Sequence, residues 1–270
     1  MVMNNIILLS VLVLSAIGIV AALLLYFVSQ KFKVYEDPMI GNVADLLPGA
    51  NCGGCGFAGC RNFAEAIVKA GGLNGKMCPA GGASVNEAIS KLFGTETEQT
   101  IKKMLVLRCN GSCENAQVQA HYDSIKSCAF ANTISAGENK CVYGCLGCGD
   151  CVAVCKFGAL SIDKITGLPT VDYNKCVLCE ACVKTCPRRL LVSIEQKENG
   201  VVWVACANKE KGAEARKNCT AACIACTKCT KVCEYDAIAV KDNLAIIDEN
   251  KCIACGKCVE NCAFKVIHNI

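Results

Sequence analysis

The chain has 270 residues, 26 of them cysteine, and 28 Lys+Arg against 24 Asp+Glu leave a net charge of +4. Cysteine this abundant marks a disulfide scaffold in short secreted chains, but here the chain is long and the cysteines fall in metal-type spacings. The modest charge, with no arginine-rich stretch interleaved with aromatics, speaks against a nucleic-acid partner.

From Ile6 to Val28 the chain is uncharged and strongly apolar (IILLSVLVLSAIGIVAALLLYFV), longer than the ~20 residues that cross a hydrocarbon core. A cleaved signal peptide would bring a positive n-region, a shorter apolar core and a small-residue cleavage site. Met1 to Asn5 hold no basic side chain, whereas Lys31 and Lys33 follow the span and Tyr26 and Phe27 sit near its end. The positive-inside rule then puts the C-terminal side in the cytoplasm. The expectation is a single-pass anchor over residues 1–30 of the cell (inner) membrane, touching lipid through 6–28, with the N-terminus outside. A reducing cytoplasm would keep the thiols available for metal.

Residues 31–95 form the next expected domain. It contains Cys52, Cys55, Cys60 and Cys78, within PGANCGGCGFAGC and KMCPAGG. Three close thiols and a distant fourth can close around a [4Fe–4S] cubane. The alternative is a zinc knuckle, although zinc sites usually pair their cysteines two and two. Arg61 to Ala70 reads as a helix stopped by Gly71, and a second helix is predicted from Ser84, with a Ser84…Glu87 capping box, to Gly94.

A connecting segment, 96–137, includes a buried-strand pattern at Lys102 to Cys109. Then four runs of Cys-x2-Cys-x2-Cys-x3-Cys begin at Cys145, Cys176, Cys223 and Cys252. This spacing wraps a [4Fe–4S] cluster, and in paired runs the fourth Cys of each serves the other's cluster. The pairing predicts one cluster on Cys145, Cys148, Cys151 and Cys186, and another on Cys176, Cys179, Cys182 and Cys155. A third falls on Cys223, Cys226, Cys229 and Cys262, and a fourth on Cys252, Cys255, Cys258 and Cys233. Strands are expected at 159–163 and 170–173 and again at 237–240 and 244–247. Asn199-Gly200 predicts a hairpin between 190–195 and 201–205.

The fold class is therefore α+β. One transmembrane helix and a small helical [4Fe–4S] domain precede two ferredoxin-like modules, 138–195 and 221–270, each with two clusters. A hairpin and linker, 196–220, joins them. The clusters would replace much of the apolar core, because metal binding contributes folding free energy in small domains.

Cys128-x12-Cys141-x3-Cys145 recurs as Cys206-x12-Cys219-x3-Cys223, an internal duplication. Six cysteines lie outside the five sets: 109, 113, 128, 141, 206 and 219. Cys109, Cys113, Cys128 and Cys141 could hold a sixth cluster, although the second copy, aligned by that spacing, has Pro187 and Leu191 where Cys109 and Cys113 would fall. The alternative is buried structural thiols, since free Cys packs as a small hydrophobe. Cys141 and Cys219 also stand near enough to their runs to substitute as ligands.

The N-terminal span, the GANCGGCGFAGC segment, YGCLGCGDCVAVC and ACIACTKCTKVC together resemble the family of B subunits of the Rnf complex, a membrane-bound ferredoxin:NAD oxidoreductase that moves sodium ions or protons. The resemblance covers essentially the whole chain. It implies soluble ferredoxin as donor, flavin-bearing membrane and peripheral subunits as partners, and NAD reduction elsewhere in the complex. One departure is that only Cys186 is followed by the proline usual after a ferredoxin run.

So many clusters in one chain serve electron transfer, and the expected function is a membrane-anchored wire from ferredoxin to the partner subunits. No site for substrate transformation is visible: no G-x-G-x-x-G follows a strand, and His121 and His268 are isolated. Lys209, Lys211, Arg216 and Lys217 could steer an acidic ferredoxin, or simply be a solvated loop. The alternatives are the polyferredoxin of another membrane redox complex, oxidising hydrogen or formate, and a non-catalytic cluster carrier.

Overall fold

The computed structural model describes residues 2–31, 37–95, 102–121, 123, 125–134 and 137–270, with the side chains of the first helix from residue 11 onward. The chain divides into two units, Met1–Gly41 and Asn42–Ile270. In the first, α1 (Val2–Lys31) is a continuous 30-residue helix with Lys31 in its last turn. At ~1.5 Å per residue it reaches ~45 Å, and its Val11–Lys31 part is long and apolar enough to cross a membrane. Its described side chains are all exposed, as suits a helix surrounded by lipid. Lys33 lies outside the described residues.

α2 (Pro38–Leu46) starts with proline at its first helical position and Asp37 ahead of it, whose Oδ1 accepts the Met39 N–H at 2.9 Å. Both choices suit a helix start. α3 (Cys60–Ala70) buries Phe63, Ala64 and Ile67 and ends at Gly71, φ 72°; the Gly71 and Gly72 amides close its last turn onto Val68 and Ile67. α4 (Gly82–Phe93) buries Asn86, Ile89 and Ser90. It starts two residues before the predicted Ser84, and no side chain caps it. The capping box does not form, because Asn86 ties the start of α4 to the Cys78 loop.

Two repeats of one topology follow. In the first, β1 (Lys103–Leu107), α5 (Cys128–Ile134), α6 (Asp150–Ala153), β2 (Leu160–Ile162), β3 (Pro169–Val171), α7 (Ala181–Thr185) and β4 (Leu191–Glu195) succeed one another. In the second the series is β5 (Val202–Val204), α8 (Gly212–Asn218), α9 (Lys228–Lys231), β6 (Ile238–Lys241), β7 (Leu244–Ile247), α10 (Lys257–Glu260) and β8 (Ile267–Asn269). Each repeat closes its first strand on its last, antiparallel, and adds an inner hairpin: β1–β4 with β2–β3, and β5–β8 with β6–β7. The register runs from Lys103↔Glu195 to Leu107↔Leu191 in one repeat and from Val202↔Asn269 to Val204↔Ile267 in the other.

The hairpin predicted around Asn199-Gly200 is therefore corrected. Its two strands exist, but β4 pairs with β1 and β5 with β8; only Lys197 and Gly200 bridge across the turn. Burial decides this. Leu191 packs with Leu105, Leu160, Cys151 and Cys182 in the first repeat, while Val202 and Val204 pack with Ile238, Leu244 and Ile267 in the second. A turn of high local propensity marks the crossing from one core to the next.

Candidate iron–sulfur centres

Cys52, Cys55 and Cys60 lie on the loop before α3 and on its first residue, and Cys78 returns to them from before α4. Burial pushes the Cys78 thiol up and the Gly81 amide pulls it down, while Cys55, Cys60 and Cys52 are near enough to oppose charge there. Two asparagines hold this loop. The Cys60 N–H donates to Asn51 Oδ1 at 2.8 Å. The buried Asn86 side chain accepts from the Cys78 N–H at 2.9 Å and donates to the Cys78 and Gly82 carbonyls at 3.2 and 2.7 Å. Spacing of cysteines gave no sign of Asn86.

In the four runs, the residues two and four past the first Cys are left-handed: Gly147 and Gly149, Leu178 and Glu180, Ala225 and Thr227, Ala254 and Gly256, with φ between 54° and 87°. This winding turns the three thiols inward. It also aims the amide two residues on at the first sulfur, and the N–H groups of Gly147, Leu178 and Ala254 pull down Cys145, Cys176 and Cys252 against the burial that raises them. The third Cys of each run (151, 182, 229, 258) is buried on a short helix.

The structure brings much of each expected set together, but Cys148 lies against Cys128 rather than on the space that Cys145, Cys151 and Cys186 share. Cys145, Cys151 and Cys186, together with Cys128, line one space, and Cys155, Cys176, Cys179 and Cys182 line another. Cys223, Cys226 and Cys262 surround Cys229, and Cys233 and Cys255 adjoin Cys252. Burial, and then the neighbouring thiols, push Cys145 and Cys182 up to about 12 and Cys151, Cys229 and Cys258 to about 11. Such thiols ionise readily only when a cation takes the charge. The fourth Cys of each run in the first repeat also accepts an amide: Ala159 N–H to Cys155 Sγ at 3.3 Å, and Leu190 N–H to Cys186 Sγ at 3.4 Å.

All-thiol sets converging on a shared space, with N–H donors turned on the sulfurs, suit a [4Fe–4S] cluster, whose potential such bonds tune. Among the described residues no three His, Cys, Asp or Glu side chains converge at single-ion range.

The remaining cysteines are distributed otherwise than the spacing suggested. Cys128, first residue of α5, lies against Cys148 and Cys151. Asp150 holds α5 there, its Oδ2 accepting from Ser127 Oγ and the Ala129 N–H at 3.0 Å each. Cys113 is exposed beside Gly167 in the β2–β3 turn. Cys109 and Cys141 face a third space together with Cys206 and Cys219. The quartet Cys109, Cys113, Cys128 and Cys141 is thus not assembled. The duplication is real, but its counterpart of Cys206 is Cys109: each lies two residues beyond the first strand of its repeat.

Of the basic stretch, Lys209 pairs with Asp242 at 3.4 Å and Arg216 lies 4.8 Å over the Phe264 ring. His121 is exposed, and His268 stacks on Trp203 with ring centroids 5.6 Å apart.

Three family models match the chain: "Putative Fe-S cluster" over residues 47–79, a 4Fe-4S dicluster domain over 144–190 and a 4Fe-4S binding domain over 244–267. The chain is 42% identical to the B subunit of the Na(+)-translocating ferredoxin:NAD(+) oxidoreductase complex of Acetobacterium woodii, over 92% of this chain and 74% of that one. It is 40% identical to the B subunit of the ion-translocating oxidoreductase complex of Methanosarcina acetivorans, over 92% and 93%. To the B subunit of the proton-translocating ferredoxin:NAD(+) oxidoreductase complex of Clostridium ljungdahlii it is 37% identical, over 92% and 86%. With several [4Fe–4S] domains and likeness of this extent, the chain belongs to the family of Rnf complex B subunits, the electron-carrying iron–sulfur subunits of ion-translocating oxidoreductase complexes.

Proposed function

We propose that this protein carries electrons from reduced soluble ferredoxin to flavin-bearing partner subunits of an ion-translocating ferredoxin:NAD oxidoreductase. The reading assigns residues 1–30 to a single-pass anchor in lipid, with the N-terminus outside and the rest cytoplasmic. Residues 31–95 form a one-cluster domain. Two ferredoxin-like modules complete the cytoplasmic part; they run over 103–195 and 202–270, because β1 and β5, from the segments 96–137 and 196–220 expected as connectors, pair with the last strand of each repeat.

Five ligand sets follow: Cys52, Cys55, Cys60 and Cys78; Cys145, Cys148, Cys151 and Cys186; Cys176, Cys179, Cys182 and Cys155; Cys223, Cys226, Cys229 and Cys262; Cys252, Cys255, Cys258 and Cys233. When bound, a [4Fe–4S] cluster accepts and releases one electron with its thiolates in place. The chain's own part is to fix the sulfurs, exclude water and set the local charge.

The observation that carries the reading is adjacency of the sets. Cys151 and Cys182 share one core, Cys229 and Cys258 share another, and Gly54 of the Cys52–Cys78 loop abuts Cys179. Buried neighbours of this kind suit a relay, whereas a cluster carrier needs exposed, labile sites.

The test is ferredoxin-dependent NAD reduction by membranes holding the whole complex. Cys179→Ser should abolish most of that turnover while the protein remains in the membrane. Undiminished turnover would overturn the relay. Membranes that oxidise hydrogen or formate instead, with no ferredoxin-dependent NAD reduction, would favour a different redox complex.

A further inference from the structure

We infer that Cys109, Cys141, Cys206 and Cys219 bind a further [4Fe–4S] cluster, seated between the two repeats. This rests on the cluster-binding reading above and adds to it a site that no single stretch of sequence contains.

The repeats meet around these four residues with matching geometry. The Arg108 N–H donates to the Leu190 carbonyl at 2.7 Å, and the Ala205 N–H to the Val266 carbonyl at 2.7 Å. Each bond fixes the backbone one residue before a cysteine, Cys109 or Cys206. The Cys145 N–H then donates to Cys109 Sγ at 3.3 Å, and the Cys223 N–H to Cys206 Sγ at 3.4 Å. Each of these thiols is thereby joined to the first cysteine of its own repeat's first run. Cys141 and Cys219 stand four residues before the same two cysteines.

The segment after Cys109 is stitched to the stretch holding Cys219. Ala116 bridges Cys219, the Gln117 N–H donates to the Asn218 carbonyl at 3.1 Å, and the Thr220 N–H to the Asn115 carbonyl at 2.9 Å. Trp203 Nε1 also donates to the Leu107 carbonyl at 3.0 Å, tying β5 to β1.

Close-packed thiols would account for buried cysteines that do nothing else, because protein interiors fill space. These four are between 5% and 9% exposed, yet they converge on one common space, as Cys155, Cys176, Cys179 and Cys182 converge on theirs. Gly111 forms part of the cradle: a Cβ there would stand 3.5 Å from both Cys109 Sγ and Cys219 Sγ. The sulfurs also have the donors seen in the runs. The amides two residues on, of Gly111, Asn208 and Ala221, act on Cys109, Cys206 and Cys219, and Asn208 Nδ2 donates to Cys141 Sγ at 3.5 Å. Thiols need no such array; thiolates on a cluster use it.

Placed here, the cluster joins the first run of one repeat to the first run of the other.

The experiment counts clusters in the full-length chain, purified in detergent without oxygen, by native mass spectrometry with iron, sulfide and zinc analysis. The expected wild-type content is about 24 iron and about 24 sulfide, against about 20 of each for five cubanes. Cys219→Ala should lose about four of each. Gly111→Val, which keeps every thiol but fills the cradle, should do the same, and Cys113→Ala should lose none.

A wild-type content of about 20, zinc in place of the additional iron and sulfide, or full content in both Cys219→Ala and Gly111→Val would overturn the site and leave five clusters standing. Wild-type iron and sulfide far below about 20 would overturn the five-cluster reading itself. Should Cys219→Ala fail to fold, the wild-type count and Gly111→Val decide.

Discussion

Gly54 packs on Cys179 so closely that a Cβ at Gly54 would stand 2.8 Å from the Cys179 Cα. Backbone, not a flexible side-chain end, occupies the place, so one domain must move. Lys156 Nζ reaches across the same junction to the Asn51 carbonyl at 2.9 Å. Gly54→Ala should therefore cost about 1–3 kcal/mol and slow ferredoxin-dependent NAD reduction several-fold at unchanged iron content. Thermal melts with iron analysis and membrane turnover check it; wild-type turnover would mean the junction is not on the electron path.

Asn86 holds both backbone groups of Cys78 from a buried position. Asn86→Ala leaves an amide and a carbonyl unsatisfied, at a cost of about 2–4 kcal/mol. The expected result is faster loss of one cluster's iron from the 31–95 domain under chelator challenge, with the remaining iron unaffected. Equal release rates in variant and wild type would remove Asn86 from any role in holding that ligand.

Arg188 Nη1 donates to the Gly144 carbonyl at 2.5 Å and Nε to Asn132 Oδ1 at 3.0 Å. Burial lowers its pKa, while Cys141, Cys145, Cys109 and Cys186 all lie close enough to support its charge. A fixed cation beside these sulfurs favours the reduced state of whatever they hold. Arg188→Gln should shift the affected potentials negative by on the order of tens of millivolts, with Arg188→Lys restoring part of the shift. Redox titration followed by electron paramagnetic resonance reads this directly, and unchanged potentials would contradict it.

His268 stacks on Trp203, and its Nε2 is enclosed with no hydrogen-bond partner among the described residues. Burial lowers its pKa below the ordinary 6.5. A depressed folded-state pKa gives stability that is present above 6.5 and lost as pH falls through the folded value. The wild type should thus lose Tm relative to His268→Phe between pH 7.5 and pH 5.5. A Tm difference constant over that interval would show that the imidazole does not titrate on unfolding.

Much of this protein was legible in its sequence because the determinants are local. An uncharged stretch longer than a bilayer is thick needs no partner to be recognised. Cys-x2-Cys-x2-Cys fixes a loop within a few residues, with left-handed backbone at positions such as Leu178 and Ala254. The helix at Cys60–Ala70 follows from its apolar face and Gly71.

The tertiary structure decided what long-range burial controls. Asn199-Gly200 has the composition of a hairpin turn, yet Leu191 finds Leu105 and Val204 finds Ile267, because each strand buries its apolar face within its own repeat. Cysteine spacing matched Cys206 with Cys128. A longer connection between Cys109 and Cys141 hid the true counterpart, since spacing along a chain does not record which strand end a residue occupies. Contacts between the repeats, the Trp203 Nε1 bond to the Leu107 carbonyl and the Ala116–Cys219 bridge, carry Cys109 to Cys206 and Cys219.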